Sequence, residues 1–289
     1  MTHNTTELTG AQAAGTITLG GDLTVSRLGF GAMRLTGPGI WGPPADPAEA
    51  KRVLKRAIEL GVDFIDTANS YGPHVSEELI AEALYPYPEG LVIATKGGLE
   101  RPGPGQWQPH GDPDYLRSEL EGSLQRLRLD RIELYQLHRI DSKVPEAEQF
   151  DALRELQRAG LVHHVGLSEA SVAQIERARR VVPIVSVQNR YNVQDRHWQH
   201  EVDYCEREGI AFLPWAPLGA GTIGEESALM RVAHRHRATP LQVAIAWLLA
   251  RSPVMLPIPG TSRVAHLEEN VAAASLRLTD KDMRELDRV

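Results

Sequence analysis

Four polar side chains in the first half of the chain have the types and spacing that carbonyl reduction requires. Residues 62–72 (Val62-Asp63-Phe64-Ile65-Asp66-Thr67-Ala68-Asn69-Ser70-Tyr71-Gly72) read as a short apolar strand running into a polar turn, so Asp66 and Tyr71 leave one strand end together. Residues 91–96 form a second apolar run that ends on Lys96, and residues 132–138 a third that ends on His138. A tyrosine hydroxyl ordinarily loses its proton near pH ~10. A neighbouring ammonium group stabilises the phenolate and lowers that value, and a carboxylate paired with the lysine holds the ammonium in position. Tyr71 is then a proton donor to a carbonyl oxygen and Lys96 its tuner. Asp66 orients Lys96, and His138 is a hydrogen-bond donor that fixes the carbonyl. Any one of these residues at a strand end is ordinary, but all four at the ends of successive strands are not.

Side chains from successive strand ends converge only if the strands run parallel, so the elements between them matter. Residues 16–25 alternate about a Gly20-Gly21-Asp22 turn and read as a hairpin. Strand-then-helix units follow: a strand over 28–35 and a helix over 47–60, capped by Asp46 and stopped by Gly61. Strand 62–66 leads to a helix with Ser76 as its cap. Strand 91–96 leads, after a loop over 97–111, to a helix over 113–127 capped by Asp112. Strand 132–138 leads to a helix ending at Ala159-Gly160, strand 163–167 to a helix over 171–180, and strand 184–188 to a helix over 197–208. Strand 210–215 precedes a helical region over 227–250, and strand 254–258 a helix over 264–274; a last helix follows Thr279. Parallel strands need crossovers, and eight right-handed crossovers close on themselves. The expected fold is therefore α/β, a (β/α)8 TIM barrel with an N-terminal β-hairpin and additional C-terminal helices. An open doubly wound sheet is the alternative. Residues 1–15 are expected to be a flexible tail and 16–289 a single domain.

The 289 residues suit one such domain, and 42% apolar with 24% charged residues is a globular balance. A net charge of −7 without a long basic run argues against nucleic acid and anionic membrane surfaces as partners. No apolar run approaches the ~20 residues of a membrane span. A lone cysteine, Cys205, precludes an internal disulfide, and the polar start lacks a signal core, so a cytoplasmic location is expected.

The motif over 61–72, Thr95-Lys96, the strand ending in His138, and the segment from Ile258-Pro259-Gly260 through Asn270 together resemble the aldo-keto reductase family. The resemblance runs from Leu28 to the end. It implies a barrel that binds a nicotinamide cofactor in extended form, NADPH rather than NADH, and it makes Asp66, Tyr71, Lys96 and His138 the catalytic tetrad. By the same resemblance Gly31, Ala32 and Met33 meet the cofactor, as does Asp66. Ser168 and Gln188 hold the nicotinamide carboxamide, and Trp215 stacks on its ring, a core aromatic being the other reading of that residue. Ala216, Pro217, Leu218 and Gly219 wrap the pyrophosphate. Ile258, Gly260, Thr261, Ser262, Arg263 and His266 surround the adenosine phosphate at a helix amino end, and Glu269 and Asn270 meet the adenine. The chain departs from the family's pattern at Glu169, where Asn is usual, and many members carry lysine where Gly260 stands and arginine where His266 stands.

Residues 219–224 match a dinucleotide fingerprint, yet no acid stands between Glu226 and Glu268 to hold a ribose, so these glycines read as a loop over the cofactor. His163-His164 and His234-x-His236 lack acids or cysteines at ligand spacing, and no metal is expected. The segments 35–44, 71–75, 83–87 and 258–270 are similar to a bacterial branch that includes pyridoxal reductases, which implies an aromatic aldehyde such as pyridoxal as substrate. Trp41, His74 and Trp107 would flank the opening; for Trp107 an exposed structural role is the alternative. The partner expected is thus a small carbonyl compound, with the chain monomeric or weakly oligomeric. Two other functions fit the same residues: a cofactor-binding regulatory barrel without turnover, and an NAD-linked alcohol or sugar dehydrogenase.

Overall fold

The first turn, Gly20-Gly21, places both glycines at positive φ (61° and 91°), the left-handed region that lets a tight hairpin reverse. It joins β1 (Thr16–Leu19) to β2 (Leu23–Ser26) in antiparallel register. The structure, a computed structural model, describes residues 9–217 and 227–289. After the hairpin come β3 (Phe30–Gly31), α1 (Pro47–Glu59), β4 (Phe64–Asp66), α2 (Val75–Leu84) and β5 (Val92–Gly97). A short antiparallel pair, β6 (Leu99–Glu100) and β7 (Gln108–Pro109), precedes α3 (Pro113–Leu127) and β8 (Ile132–Leu137). Then follow α4 (Glu146–Arg158), β9 (Val162–Ser168), α5 (Val172–Arg179), β10 (Ile184–Gln188), α6 (Gln199–Glu208) and β11 (Ala211–Phe212). Helices α7 (Ala228–His236), α8 (Pro240–Arg251), α9 (Val264–Ala272) and α10 (Asp280–Leu286) complete the described chain.

The helix starts follow from local chemistry. Asp46 accepts the Glu49 amide, Asp112 accepts the Asp114 and Tyr115 amides, and Ser171, Thr239 and Thr279 each close a reciprocal capping box. Helix α2 differs from expectation. It begins after His74, held at φ 70°, and Ser76 is no cap, its hydroxyl being engaged with Thr67 and the Ala32 carbonyl.

Seven parallel strands form one curled sheet in the order β11-β10-β9-β8-β5-β4-β3. The eighth strand expected over 254–258 is not a regular strand, because Pro257 and Pro259 have no amide to donate. The segment nonetheless bonds to both sheet edges. Phe212 on β11 donates to Val254 (2.8 Å) and accepts from Leu256 (2.9 Å), while Gly29, next to β3, donates to Pro257 (3.0 Å). Two other expectations are corrected. The strand over 28–35 keeps only β3 and continues as a 3-10 helix, Ala32–Leu35, and strand 210–215 keeps only β11; the helical region expected over 227–250 is present as two helices. Of the tail expected over 1–15, residues 10–14 form a 3-10 turn that buries Ala11 completely against the main core. Residues 1–8 lie outside the described residues, as does the glycine loop at 219–224.

Alternation along the strands divides the core and aims the site. Phe64, Val92, Ala94, Leu134, Leu213 and Leu256 meet inside the curl, joined by Leu19 and Val25 of the hairpin at one end. Ile65, Ile93, Tyr135, Leu137, Val165 and Leu167 face outward onto the helices. With a period of two, the residues that follow the inner apolar ones are Asp66, Lys96, Gln136 and His138, so the inward set turns polar at the carboxyl ends of the strands.

Arg27 ties the bridging segment down, its guanidinium donating to the carbonyls of Leu249 (2.9 Å), Ser252 (2.6 Å) and Met255 (3.3 Å). Replacing it with methionine, Arg27→Met, keeps the stem but strands these acceptors. The expected loss is about 2–3 kcal/mol of stability, read as a lower urea midpoint; an unchanged midpoint would contradict it.

Candidate active site

Lys96 closes the site from β5, and its ammonium group is entirely buried. Nζ donates to Asp66 Oδ2 at 2.7 Å, to the Thr67 carbonyl at 2.9 Å and to Tyr71 Oη at 3.3 Å. An ammonium has three hydrogens, so its donor capacity is filled. The other carboxylate oxygen, Asp66 Oδ1, accepts from Gln136 Nε2 (3.1 Å) and Gln188 Nε2 (2.8 Å). Gly166 makes room for Gln136, since a Cβ at that position would lie 3.0 Å from Gln136 Cγ and 2.1 Å from Ser186 Oγ. His138 lies across from Tyr71 with ring centroids 5.7 Å apart and edge to face, and its Nδ1 is 3.3 Å from Ser70 Oγ. The structure thus brings all four tetrad residues together at the carboxyl ends of the strands.

The electrostatics depart from the simplest reading of the sequence. Burial pushes the Tyr71 hydroxyl above its usual range, and the Lys96 ammonium pulls against that shift without reversing it. Tyr71 is therefore a protonated acid at neutral pH rather than an acidified phenol. Burial also works against the charge on Lys96, but Asp66 and Tyr71 outweigh it, so the ammonium is held above its usual range. His138 is pushed well below the ordinary imidazole range, first by burial and then by the positive charges of Lys96, Arg139 and Arg101, so it is neutral near pH 7.

Beyond the tetrad, Ser168 ends β9 and its hydroxyl oxygen accepts from Arg139 Nη1 at 3.0 Å. Glu169, at φ 53°, accepts from the Trp215 indole N–H (2.6 Å) and from the Arg190 amide (2.7 Å), which fixes the plane of Trp215. Asparagine, usual at this position in the resembled family, would offer a neutral acceptor; here the indole meets a carboxylate. Gln188, expected on the carboxamide, has its amide nitrogen committed to Asp66. Ala216, at φ 51°, presents its carbonyl to Asn192 Nδ2 (3.0 Å). Pro217 follows it, and Leu218 and Gly219 lie outside the described residues.

At the other rim, Gly31 and Gly260 lie backbone to backbone. A Cβ on Gly31 would sit 2.6 Å from the Ile258 carbonyl oxygen, and one on Gly260 would sit 2.4 Å from the Gly31 oxygen. Ala32 is buried beside them and Met33 half-buried. Thr261 Oγ1 accepts the Arg263 amide (3.2 Å), while Ser262, Arg263 and His266 are exposed around the start of α9. The Val264 amide there is taken by Glu49 Oε1 at 3.1 Å. On α9, Glu269 is half-buried, and Asn270 is buried with an Oδ1 that has no hydrogen-bond partner.

Around the opening, Trp107 packs edge-on against both Tyr71 and His138, each with ring centroids 6.5 Å apart. Trp41 reaches the rim through a bridge to Gly72. His74 turns elsewhere, facing Glu119 of α3 at 3.6 Å. Arg101, which the sequence reading missed, stacks on Trp107 at 3.6 Å and lies 5.5 Å from the Trp41 ring centroid. It donates to the carbonyls of Gly39, Ile40, Ser70 and Gln106, and so joins three loops. Gln136 and Arg139 were also missed; the position of Gln136, two before His138 on the same strand face, was the available signal.

Among known proteins, the profile of the Aldo/keto reductase family matches residues 27–289. An uncharacterised oxidoreductase of Schizosaccharomyces pombe is 50% identical over 279 residues, covering 96% of this chain and 90% of that protein. Pyridoxine 4-dehydrogenase of Escherichia coli is 44% identical over 281 residues, covering 95% and 98%. The crystal structure of a thermostable aldo-keto reductase bound to the inhibitor epalrestat superposes with a TM-score of 0.82 at 32% identity, over 94% of this chain and 98% of that one. The chain belongs to the aldo/keto reductase family and is an NAD(P)H-dependent oxidoreductase.

Proposed function

We propose that this protein reduces an aldehyde or ketone to an alcohol with NADPH, that Tyr71 donates the proton, and that pyridoxal is among its substrates. The reading treats the curled sheet and its bridging segment as a closed (β/α)8 barrel. The observation that carries it is the position of Lys96 Nζ, 2.7 Å from Asp66 and 3.3 Å from Tyr71 Oη, with all three residues buried. Pyridoxal is supported by the 44% identity to pyridoxine 4-dehydrogenase and by Trp41 and Trp107, which suit a flat ring.

The residues present fit such a cofactor. Asn270 Oδ1 is a buried acceptor in want of a donor, as an adenine amine supplies. The Ser168 oxygen already accepts from Arg139, so its hydroxyl hydrogen is free for a carboxamide oxygen. Trp215 is held by Glu169 as a fixed stacking surface, and Gly31 with Gly260 lets the backbone come close. Arg263, exposed at the start of α9, would carry the adenosine phosphate.

When bound, the cofactor supplies a hydride to the carbonyl carbon. Tyr71 transfers its proton to the carbonyl oxygen, and the fixed ammonium of Lys96 stabilises the phenolate left behind. Asp66 and its two glutamines keep Lys96 from following the proton. A Ser70 hydroxyl donating to His138 Nδ1 leaves the imidazole hydrogen on Nε2, where it can hold the substrate oxygen in line with Tyr71. One observation favours an NAD-linked dehydrogenase instead: Glu49 puts a carboxylate at the α9 amide that a phosphate would otherwise use.

Three outcomes are expected. Tyr71→Phe lowers kcat for pyridoxal or 4-nitrobenzaldehyde by about 10²–10⁴-fold while NADPH still quenches Trp215 fluorescence; an unchanged rate would remove Tyr71 from the mechanism. Because Tyr71 is raised and stays protonated, and His138 is lowered and stays neutral, kcat/KM for reduction is level from about pH 6 to about pH 9. Oxidation of the alcohol, which needs the phenolate, climbs across the same range, and a reduction rate that fell near pH 7.5 would show an acidified phenol. In fluorescence titrations NADPH binds at least about tenfold more tightly than NADH, worth ~1.4 kcal/mol; equal affinities would favour the NAD-linked reading.

A further inference from the structure

His163 and His164, at the start of β9, have no acids at ligand spacing in the sequence, but the fold supplies them from elsewhere. His164 Nε2 is 2.6 Å from Asp22 Oδ1, and His163 Nε2 is 3.1 Å from Asp22 Oδ2. The two imidazoles stack with centroids 4.0 Å apart and planes 22° from parallel. One donor atom from each of the three residues lies within 4.8 Å of the other two, and among the described residues this is where such donors converge. We propose that Asp22, His163 and His164 bind one divalent transition-metal ion, Zn²⁺ being the ion their donors suit.

Two imidazoles and a carboxylate are the borderline donor set that zinc prefers, whereas Mg²⁺ and Ca²⁺ seek oxygen. A tetrahedral zinc ion with bonds of about 2.0–2.1 Å sets its ligand atoms about 3.3 Å apart; the Asp22 oxygens stand 2.6 and 3.1 Å from the two imidazole nitrogens, so a small outward movement of the exposed Asp22 admits the ion. The contacts of His163 are compatible with such a site. Both ring nitrogens of His163 face carboxylate oxygens, Nδ1 lying 2.8 Å from Glu133 Oε2 and Nε2 3.1 Å from Asp22. A neutral imidazole has one N–H, so one contact lacks its hydrogen unless the ring gains a second proton or a metal takes the Nε2 lone pair. In the metal-bound form Glu133 accepts the Nδ1 hydrogen, the outer carboxylate that commonly orients a ligating histidine.

The hairpin is shaped for the contact. A Cβ on Gly20 would sit 2.1 Å from His164 Cε1, so the turn rests directly against that ring. The Asp22 side chain is 57% exposed, so an ion can reach its carboxylate from solvent. His163 and Ser168 lie five residues apart on one strand, about 16 Å at ~3.3 Å per residue. The ion is therefore remote from the tetrad, and its role is to pin the hairpin across the amino ends of the strands.

The test uses the full chain without an affinity tag, stripped with chelator and titrated with ZnCl₂ against a zinc-sensitive dye near pH 7.5. One equivalent is expected to bind and to raise the melting temperature. Asp22→Asn and His164→Asn should each weaken uptake at least tenfold and abolish the thermal shift, with aldehyde reduction unchanged. Asp22 is on an exposed turn, so its variant remains informative if His164→Asn fails to fold. Glu133→Gln should weaken binding by about tenfold, and lowering the pH should release the ion as protons compete. Absence of uptake, or uptake that survives in Asp22→Asn and is lost only when His234 and His236 are replaced, overturns the proposal.

Discussion

A lysine ammonium with no access to water is the constraint around which this molecule is built. Desolvating such a charge costs several kcal/mol unless a partner and hydrogen bonds replace the lost hydration. Asp66, the Thr67 carbonyl and Tyr71 do so for Lys96. The carboxylate needs support in turn, and Gln136 and Gln188 supply it from two further strands. Four strands are thereby committed to one polar cluster at the end of an otherwise apolar interior. Their register cannot slip by one residue without turning the cluster outward.

The same alternation explains why much of the site was legible in the sequence. Asp66, Lys96 and His138 close period-two runs, and each strand end places its last inward residue in the same layer. Helix starts at Asp46, Asp112, Ser171 and Thr279 were legible because a cap acts within three residues of itself. What escaped the sequence depends on distant partners. Arg139 belongs to the site through Ser168, Arg101 through Trp107 and Trp41, and the role of Glu169 appears only once Trp215 lies beside it. The eighth strand was misread for a different reason. Its apolar pattern was right, but prolines in that segment cannot continue a ladder, so it joins the sheet edges by isolated bonds. The acidity of Tyr71 was misjudged because a sequence shows the neighbouring charge but not the depth of burial that opposes it.

The strands divide labour along their length. At their carboxyl ends the inward side chains are polar and carry the tetrad; in the middle they are apolar; at the amino ends they meet the hairpin through Leu19, Val25 and the histidine pair. The buried charge of Lys96 and the left-handed residues Glu169 and Ala216 are all found at the carboxyl ends, away from the hairpin.

The face-to-face contact of Gly31 and Gly260 limits how this lineage can vary. The Gly31 carbonyl oxygen stands 2.4 Å from where the first side-chain carbon of a residue at 260 would lie, while a Cβ on Gly31 would meet the Ile258 carbonyl oxygen at 2.6 Å, so a lysine at 260 needs the opposing main chain to shift. Any side chain at 260 therefore comes with a displaced main chain at Gly31, whatever residue stands there, so the shape of one loop is set by the smallness of the other.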